Sequence, residues 1–367
     1  MAGKRKRTRL TDGKNSNRER PWSDLPEDIL QLIMERLAFI DQIRFRAVCK
    51  RWQSIERVSR PNVDRVHSEN QLPWLMVFER RPFNSYKLYD PCRKKAYDMD
   101  AGAKVPEDLR CLQVCAAKSG WLLLSKGHPR GTSFFLYCPF TKEWIDLPVL
   151  DFDIDAATFS TSPTSPDCIF FALHSPVDAY TVSVIINTYR RGDKTWTKYN
   201  FNVGFWLVKN AVYSEGKFYC STRRGTLGAF DVSRKDWNVL ALPGSAYVDD
   251  PMYDTYLLES KGELRLVILS EKGRWSKIFR LDRAQMSWVR VESLQDRALF
   301  LGSTSFSVSV SDSVKARRQI ADKIYYCREE DPAKFYSLKA RKRYVCTATY
   351  GCLAVVGGKK IWIEPPY

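Results

Sequence analysis

Residues 227–237 read Leu227-Gly228-Ala229-Phe230-Asp231-Val232-Ser233-Arg234-Lys235-Asp236-Trp237. An apolar run, a polar turn opened by aspartate and an aromatic at the start of the next run spell two short strands joined by a tight turn. Ile278-Phe279-Arg280-Leu281-Asp282 leading to Trp288 repeats the pattern. Asp231 and Asp282 each precede their tryptophan by six residues, where a carboxylate can accept bonds from turn amides.

Four looser copies follow the same plan: Tyr86 to Asp90 then Tyr97, Phe134 to Tyr137 then Trp144, Val184 to Asn187 then Trp196, and Phe335 to Leu338 then Tyr344. The six aromatics fall 41 to 56 residues apart. A period near 40 to 50 residues, with four short strands in each unit, predicts a six-bladed β-propeller over residues 71–367. A two-sheet β-sandwich is the alternative. Propeller blades are apolar on both faces, so Tyr97, Trp144, Trp196, Trp237, Trp288 and Tyr344 are expected as wedges between them. Leu75 to Phe78 and Lys360 to Ile363 are expected to pair and close the ring. The spacing is loosely similar to kelch propellers, with Gly357-Gly358 as the one echo of their double glycine.

The 59 Lys+Arg against 42 Asp+Glu give a net charge of +17, and 44% hydrophobic residues describe a globular chain. No apolar run reaches the roughly 18 residues of a membrane span, and no secretory leader or membrane partner is expected. The ten cysteines include no C-x-x-C pair and there are only three histidines, so free thiols and no metal or other cofactor are expected. Residues 1–20 are basic and poor in apolar side chains, which predicts a disordered tail. Its run Lys4-Arg5-Lys6-Arg7 reads as a nuclear-localisation signal, giving an expected location in nucleus or cytoplasm, or as a plain solvated arm.

Between tail and strands the language is helical. Pro26 at a first helical position with Glu27 and Asp28 behind it suits a helix N-terminus, and Ile29, Ile33 and Leu37 form a stripe with Leu30 and Met34 beside it. Asp41 is the expected N-cap of a second helix carrying Ile43, Ala47 and Val48, and Trp52 with Ile55 fits a third. Three helices in so few residues are not expected to enclose a core of their own, which points to a partner surface.

The stretch Leu25-Pro26-Glu27-Asp28-Ile29-Leu30, with Ile33, Leu37, Asp41 and the closing Val48-Cys49-Lys50-Arg51-Trp52, resembles an F-box. Leu37 is followed by Ala38 rather than proline, the variant that looks like plant F-box proteins carrying a propeller-type domain. The resemblance implies docking on a Skp-type adaptor, joined to a cullin and its RING protein in an SCF ubiquitin ligase. It assigns Leu25, Pro26, Ile29, Leu30, Ile33, Leu37, Val48, Cys49 and Trp52 to adaptor binding.

The expected organisation is therefore a disordered tail at 1–20, an F-box at 21–60, a linker at 61–70 and a propeller at 71–367 that holds an unknown protein substrate. The chain itself is expected to be a non-catalytic subunit. No G-x-S-x-G, P-loop, H-E-x-x-H or Rossmann glycine pattern occurs, and Asp151, Asp153, Asp155 and Asp249-Asp250 are the acids that a channel enzyme would have to bring together. The turns of the six units carry fourteen cations, among them Arg93, Lys142, Arg191, Lys235, Arg283 and Arg341, which predicts a basic rim. A basic nuclear propeller that binds nucleic acid is the alternative function.

Overall fold

The computed structural model describes residues 22–37, 39–46, 48–55, 72–79, 84–102, 105–176, 183–205, 208–222, 224–240, 253–270, 274–309, 320–328, 331–354 and 358–366. The basic tail, the linker at 61–70, Gly357 and Asp249-Asp250 lie outside the described residues. The chain divides into two compact units, Met1–Arg60 and Pro61–Tyr367.

The first unit holds a 3-10 turn at Trp22–Asp24 and three helices, α1 (Glu27–Arg36), α2 (Phe39–Arg46) and α3 (Lys50–Gln53). Pro26 takes the N-cap position, one residue before the helix proper, and its carbonyl accepts the Leu30 amide at 3.1 Å. Helix α2 starts three residues earlier than expected, which places Asp41 in its first turn, paired with Arg44 at 3.3 Å, instead of at its cap. Val48 falls beyond the end of α2. The unit does enclose a core of its own, against expectation. Leu30, Met34, Phe45 and Ile55 are buried together, and Phe45 stacks on Trp52 at 4.3 Å. The amide of Gln42 donates to the Met34 and Leu37 carbonyls at 3.1 and 3.0 Å, satisfying the open end of α1.

The second unit is all strand apart from short turns of helix. Blade 1 contributes β1 (Trp74–Phe78), β2 (Ser85–Asp90) and β3 (Lys95–Asp100). Blade 2 has β4 (Gln113–Lys118), β5 (Trp121–His128), β6 (Gly131–Cys138) and β7 (Glu143–Asp146). Blade 3 has β8 (Ala156–Phe159), β9 (Ile169–His174), β10 (Val184–Arg190) and β11 (Thr197–Phe201). Blade 4 has β12 (Val208–Ser214), β13 (Lys217–Thr222), β14 (Leu227–Asp231) and β15 (Asp236–Leu240). Blade 5 has β16 (Tyr253–Ser260), β17 (Glu263–Ser270), β18 (Ser276–Asp282) and β19 (Ser287–Val291). Blade 6 has β20 (Arg297–Leu301), β21 (Phe306–Ser309), β22 (Lys323–Tyr326), β23 (Lys334–Ser337) and β24 (Lys342–Val345). The last strand, β25 (Lys360–Ile363), pairs antiparallel with β1 and completes blade 1, the seam expected from the sequence.

Six separate sheets exclude a sandwich. Strands β4, β8, β12, β16 and β21 neighbour one another in turn around a central channel. Blade 6 departs from four strands: its first hairpin folds inward so that β21 is innermost, and β20 then runs parallel to β22.

The repeated aspartates act as the sequence implied. Asp231 accepts the amides of Ser233 and Arg234 at 3.0 and 3.1 Å, and Asp282 those of Ala284 and Gln285 at 2.9 and 3.1 Å. Lys94, Lys142, Lys235, Met286 and Arg341 close the turns of five blades at positive φ, the left-handed conformation that lets the outer strand reverse.

Trp237 packs in the cluster between blades 3 and 4, and Trp288 in that between blades 4 and 5, where its indole donates to the Gly225 carbonyl at 2.9 Å. Trp196 reaches back to blade 2, 5.5 Å from Phe134 and bonded to the Pro148 carbonyl. Tyr97 is buried and stacks on Trp74 at 5.7 Å. Trp144 packs on Phe135 and Tyr137 of its own blade. Tyr344 is no wedge: it is 43% exposed and stacks on Phe335 of its own sheet. The gap between blades 6 and 1 is filled instead by Tyr350 from α4 (Thr347–Tyr350), which packs on Trp362 at 4.9 Å and leaves Tyr344 nothing to fill.

Candidate functional site

Two surfaces and one cavity carry the side chains singled out from the sequence. On the helical unit, the spacing that buries Leu30 and Met34 turns Ile29 and Leu32 outward, 39% and 47% exposed. Trp22 is 75% exposed, Val48 is 61% exposed and Pro26 is exposed as well. Leu25, Ile33, Leu37 and Trp52 are partly buried against the core, and Cys49 is half-buried. Leu30 must be corrected: it is fully buried among its own helices and presents no surface to a partner. Sequence reasoning missed Leu32 and Trp22. Leu32 stands three residues after Ile29, a second stripe that was legible once the buried one had been assigned to Leu30 and Met34.

The outer turns of all six blades join the two outermost strands, so they share one end of the propeller. Two of their cations are spent on neighbouring blades. Lys142 bonds Asp100 at 2.8 Å, and Arg283 pairs with Glu215. Both bonds staple adjacent blades.

The central channel encloses about 700 Å³. Lys118, Glu259, Arg297 and Glu364, from four blades, line it near one end. Lys118 donates to the Ser160 carbonyl at 2.7 Å and Arg297 to the Ser307 hydroxyl at 2.6 Å. Burial lowers Lys118 and pushes Glu364 up to about 7, with Lys118 opposing that rise and Glu259 adding to it. Asp155 stands at the head of β8 and Glu259 at the foot of β16, so these carboxylates lie toward opposite ends of the channel. Asp155 is also committed to its loop, accepting the Ser175 amide at 2.6 Å. Asp151 and Asp153 do not line the channel. Among the described residues no group of His, Cys, Asp and Glu could hold a metal ion, and the nine cysteines whose side chains are described are free, with Cys92 and Cys111 exposed.

Comparison with known proteins places both units. Residues 22–63 match the F-box domain, and residues 88–349 match the KIB1-4 beta-propeller. The chain belongs to the plant F-box proteins with a KIB1-4 β-propeller. Among the relatives of this F-box propeller is an F-box/kelch-repeat protein of Arabidopsis thaliana, 29% identical over 361 residues, covering 96% of this chain and 97% of that one. An F-box protein of the same plant is 30% identical over 309 residues, covering 83% and 77%. A second F-box/kelch-repeat protein is 28% identical over 360 residues, covering 94% and 85%. Such F-box proteins are in general non-catalytic substrate-recognition adaptors, and the F-box implies a Skp1-type adaptor in an SCF complex.

Proposed function

We propose that this F-box propeller binds a Skp-type adaptor through Leu25, Pro26, Ile29, Leu32 and Val48, joins a cullin and RING protein through it, and holds a target protein on the propeller for ubiquitination and degradation. The observation that carries this reading is a unit whose core is already closed by Leu30, Met34, Phe45 and Ile55, yet which leaves Ile29, Leu32 and Val48 in solvent. Aliphatic side chains left over after a core is complete serve an interface.

The chemistry is positioning. A lysine of the target held close to a charged ubiquitin carrier reacts at high effective concentration, so the chain speeds transfer with no reacting group of its own. Lys4 to Arg7 are assigned to nuclear import, with the protein acting in nucleus or cytoplasm. Reconstitution tests the reading: chain, Skp-type adaptor, cullin and RING protein are expected to co-elute as one species and to support ubiquitin transfer. Exclusion of a folded chain from the assembled remainder would overturn it.

A further inference from the structure

The outer strand of blade 6 is unlike the others. All four residues of β24 are exposed, whereas the outer strands of blades 1, 4 and 5 each sink an aromatic, Tyr97, Trp237 and Trp288. The cause is register. Trp237 and Trp288 lie opposite Phe230 and Leu281, which face the preceding blade. Tyr344 lies opposite Phe335, which faces the seam with blade 1, where Tyr350 already fills the gap. Tyr344 and Phe335 therefore form a two-ring platform, centroids 5.0 Å apart and 19° from parallel, with Tyr344 on its open side. Val345, next along the strand and on the other face of the sheet, is 42% exposed.

Around this apolar patch stand Lys339, Arg341, Lys342 and Arg343, all exposed. Lys339, Arg341 and Lys342 have no carboxylate within ion-pair distance among the described residues. Strand β24 is also the last of its sheet, in the order β21-β20-β22-β23-β24, so among the described residues its outer edge has no neighbouring strand. Lysines on an edge strand commonly guard it against aggregation. A guard, however, has no use for an exposed tyrosine and valine on the same four residues.

We propose that β24 docks an extended acidic segment of a partner protein by strand addition. Alternation places Lys342 and Tyr344 on one face of the sheet and Arg343 and Val345 on the other. An antiparallel partner strand then needs apolar side chains opposite Val345 and Tyr344 and acids opposite Arg343 and Lys342, with a further acid toward Arg341. The recognised pattern is two apolar residues followed by two or three acids. Main-chain bonds supply affinity, while the cations set direction and speed encounter. The segment is a target's only if the adaptor reading above holds; the docking itself does not depend on it.

The test is titration of a fluorescent peptide of sequence STVIEEESG into the full chain, with Skp-type adaptor binding measured beside it. Saturable binding is expected, weakened at least tenfold by Tyr344→Ser and by Lys342→Glu with Arg343→Glu. Both variants change exposed positions, and melting temperature checks their fold; Lys342→Glu alone is the milder second variant. The Val345 backbone faces the open edge, because Cys346 and Tyr344 bond inward to β23, so the peptide with proline in place of its valine, which then cannot donate to the Val345 carbonyl, is expected to lose binding. Adaptor binding is expected to be unchanged throughout. Absence of saturable binding, indifference to the variants, or equal binding of the proline peptide would each overturn the proposal, the last by reducing it to charge attraction. Loss of adaptor binding in the wild-type chain would strike the ligase reading and leave this one standing.

Discussion

Leu75 stands opposite Trp362 in the antiparallel pairing of β1 with β25, so a strand from the far end of the propeller closes its first blade. Trp362 is fully buried, between Phe300 at 5.3 Å and Tyr350 at 4.9 Å, and the Thr304 hydroxyl bonds its carbonyl at 2.8 Å. Removing a ring from such a site costs about 3–5 kcal/mol. Trp362→Ala is therefore expected to lower the urea midpoint of the propeller strongly, and Trp362→Phe to lower it less. Equal midpoints for the alanine variant and the wild type would contradict a seam that holds the ring closed.

Glu364 follows the seam strand, and burial raises its carboxyl to about 7 from an ordinary 4.5. Between those values the folded chain holds a proton that the unfolded chain has lost, so stability falls as pH rises through that window. At about 1.4 kcal/mol per pKa unit, the swing is at most about 3 kcal/mol. Glu364→Gln should melt with the wild type at pH 4 and above it at pH 8. A constant difference across that range would contradict the raised value.

Blades 1 and 2 meet through two phenols. The Tyr86 hydroxyl donates to the Pro139 carbonyl at 2.6 Å and stands 2.9 Å from that of Tyr137, itself 3.3 Å from the Ala101 carbonyl. Both rings are fully buried. Tyr86→Phe orphans the Pro139 carbonyl and is expected to cost about 1–3 kcal/mol by chemical unfolding. The double variant with Tyr137→Phe should cost less than the two singles added, because the shared bond is lost once.

What the sequence disclosed follows from how each feature is encoded. The outer pair of strands in each blade was legible because turn aspartates such as Asp231 and Asp282 and the aromatics behind them are local signals, a few residues apart. The seam was legible because only the two ends of the repeat lacked partners. The inward hairpin of blade 6 was not, since Arg297–Leu301 and Phe306–Ser309 carry the same alternation whichever neighbour they choose. Tyr344 was misread for a related reason: a shift of one residue changes the face without changing the pattern. In the helical unit, Leu30 and Ile29 are adjacent and equally apolar. Only the position of Phe45 and Ile55, supplied by the fold, decides which is core and which is surface.

Import by the basic tail has a direct readout. A fluorescent fusion of the chain is expected to concentrate in nuclei, and the fourfold change Lys4→Ala, Arg5→Ala, Lys6→Ala, Arg7→Ala to spread it through the cytoplasm. An unchanged distribution would remove the localisation role of the run.

Calorimetry of the purified chain with a Skp-type adaptor measures the docking of the helical unit itself. Tight binding is expected, weakened by roughly 2 kcal/mol or more in Ile29→Asp and in Val48→Asp, both at exposed positions outside the helical core. Leu30→Ala is expected to weaken binding only by destabilising the helices, with a lowered melting temperature. A folded wild-type chain that does not bind, or binding that neither aspartate disturbs, would contradict the claim.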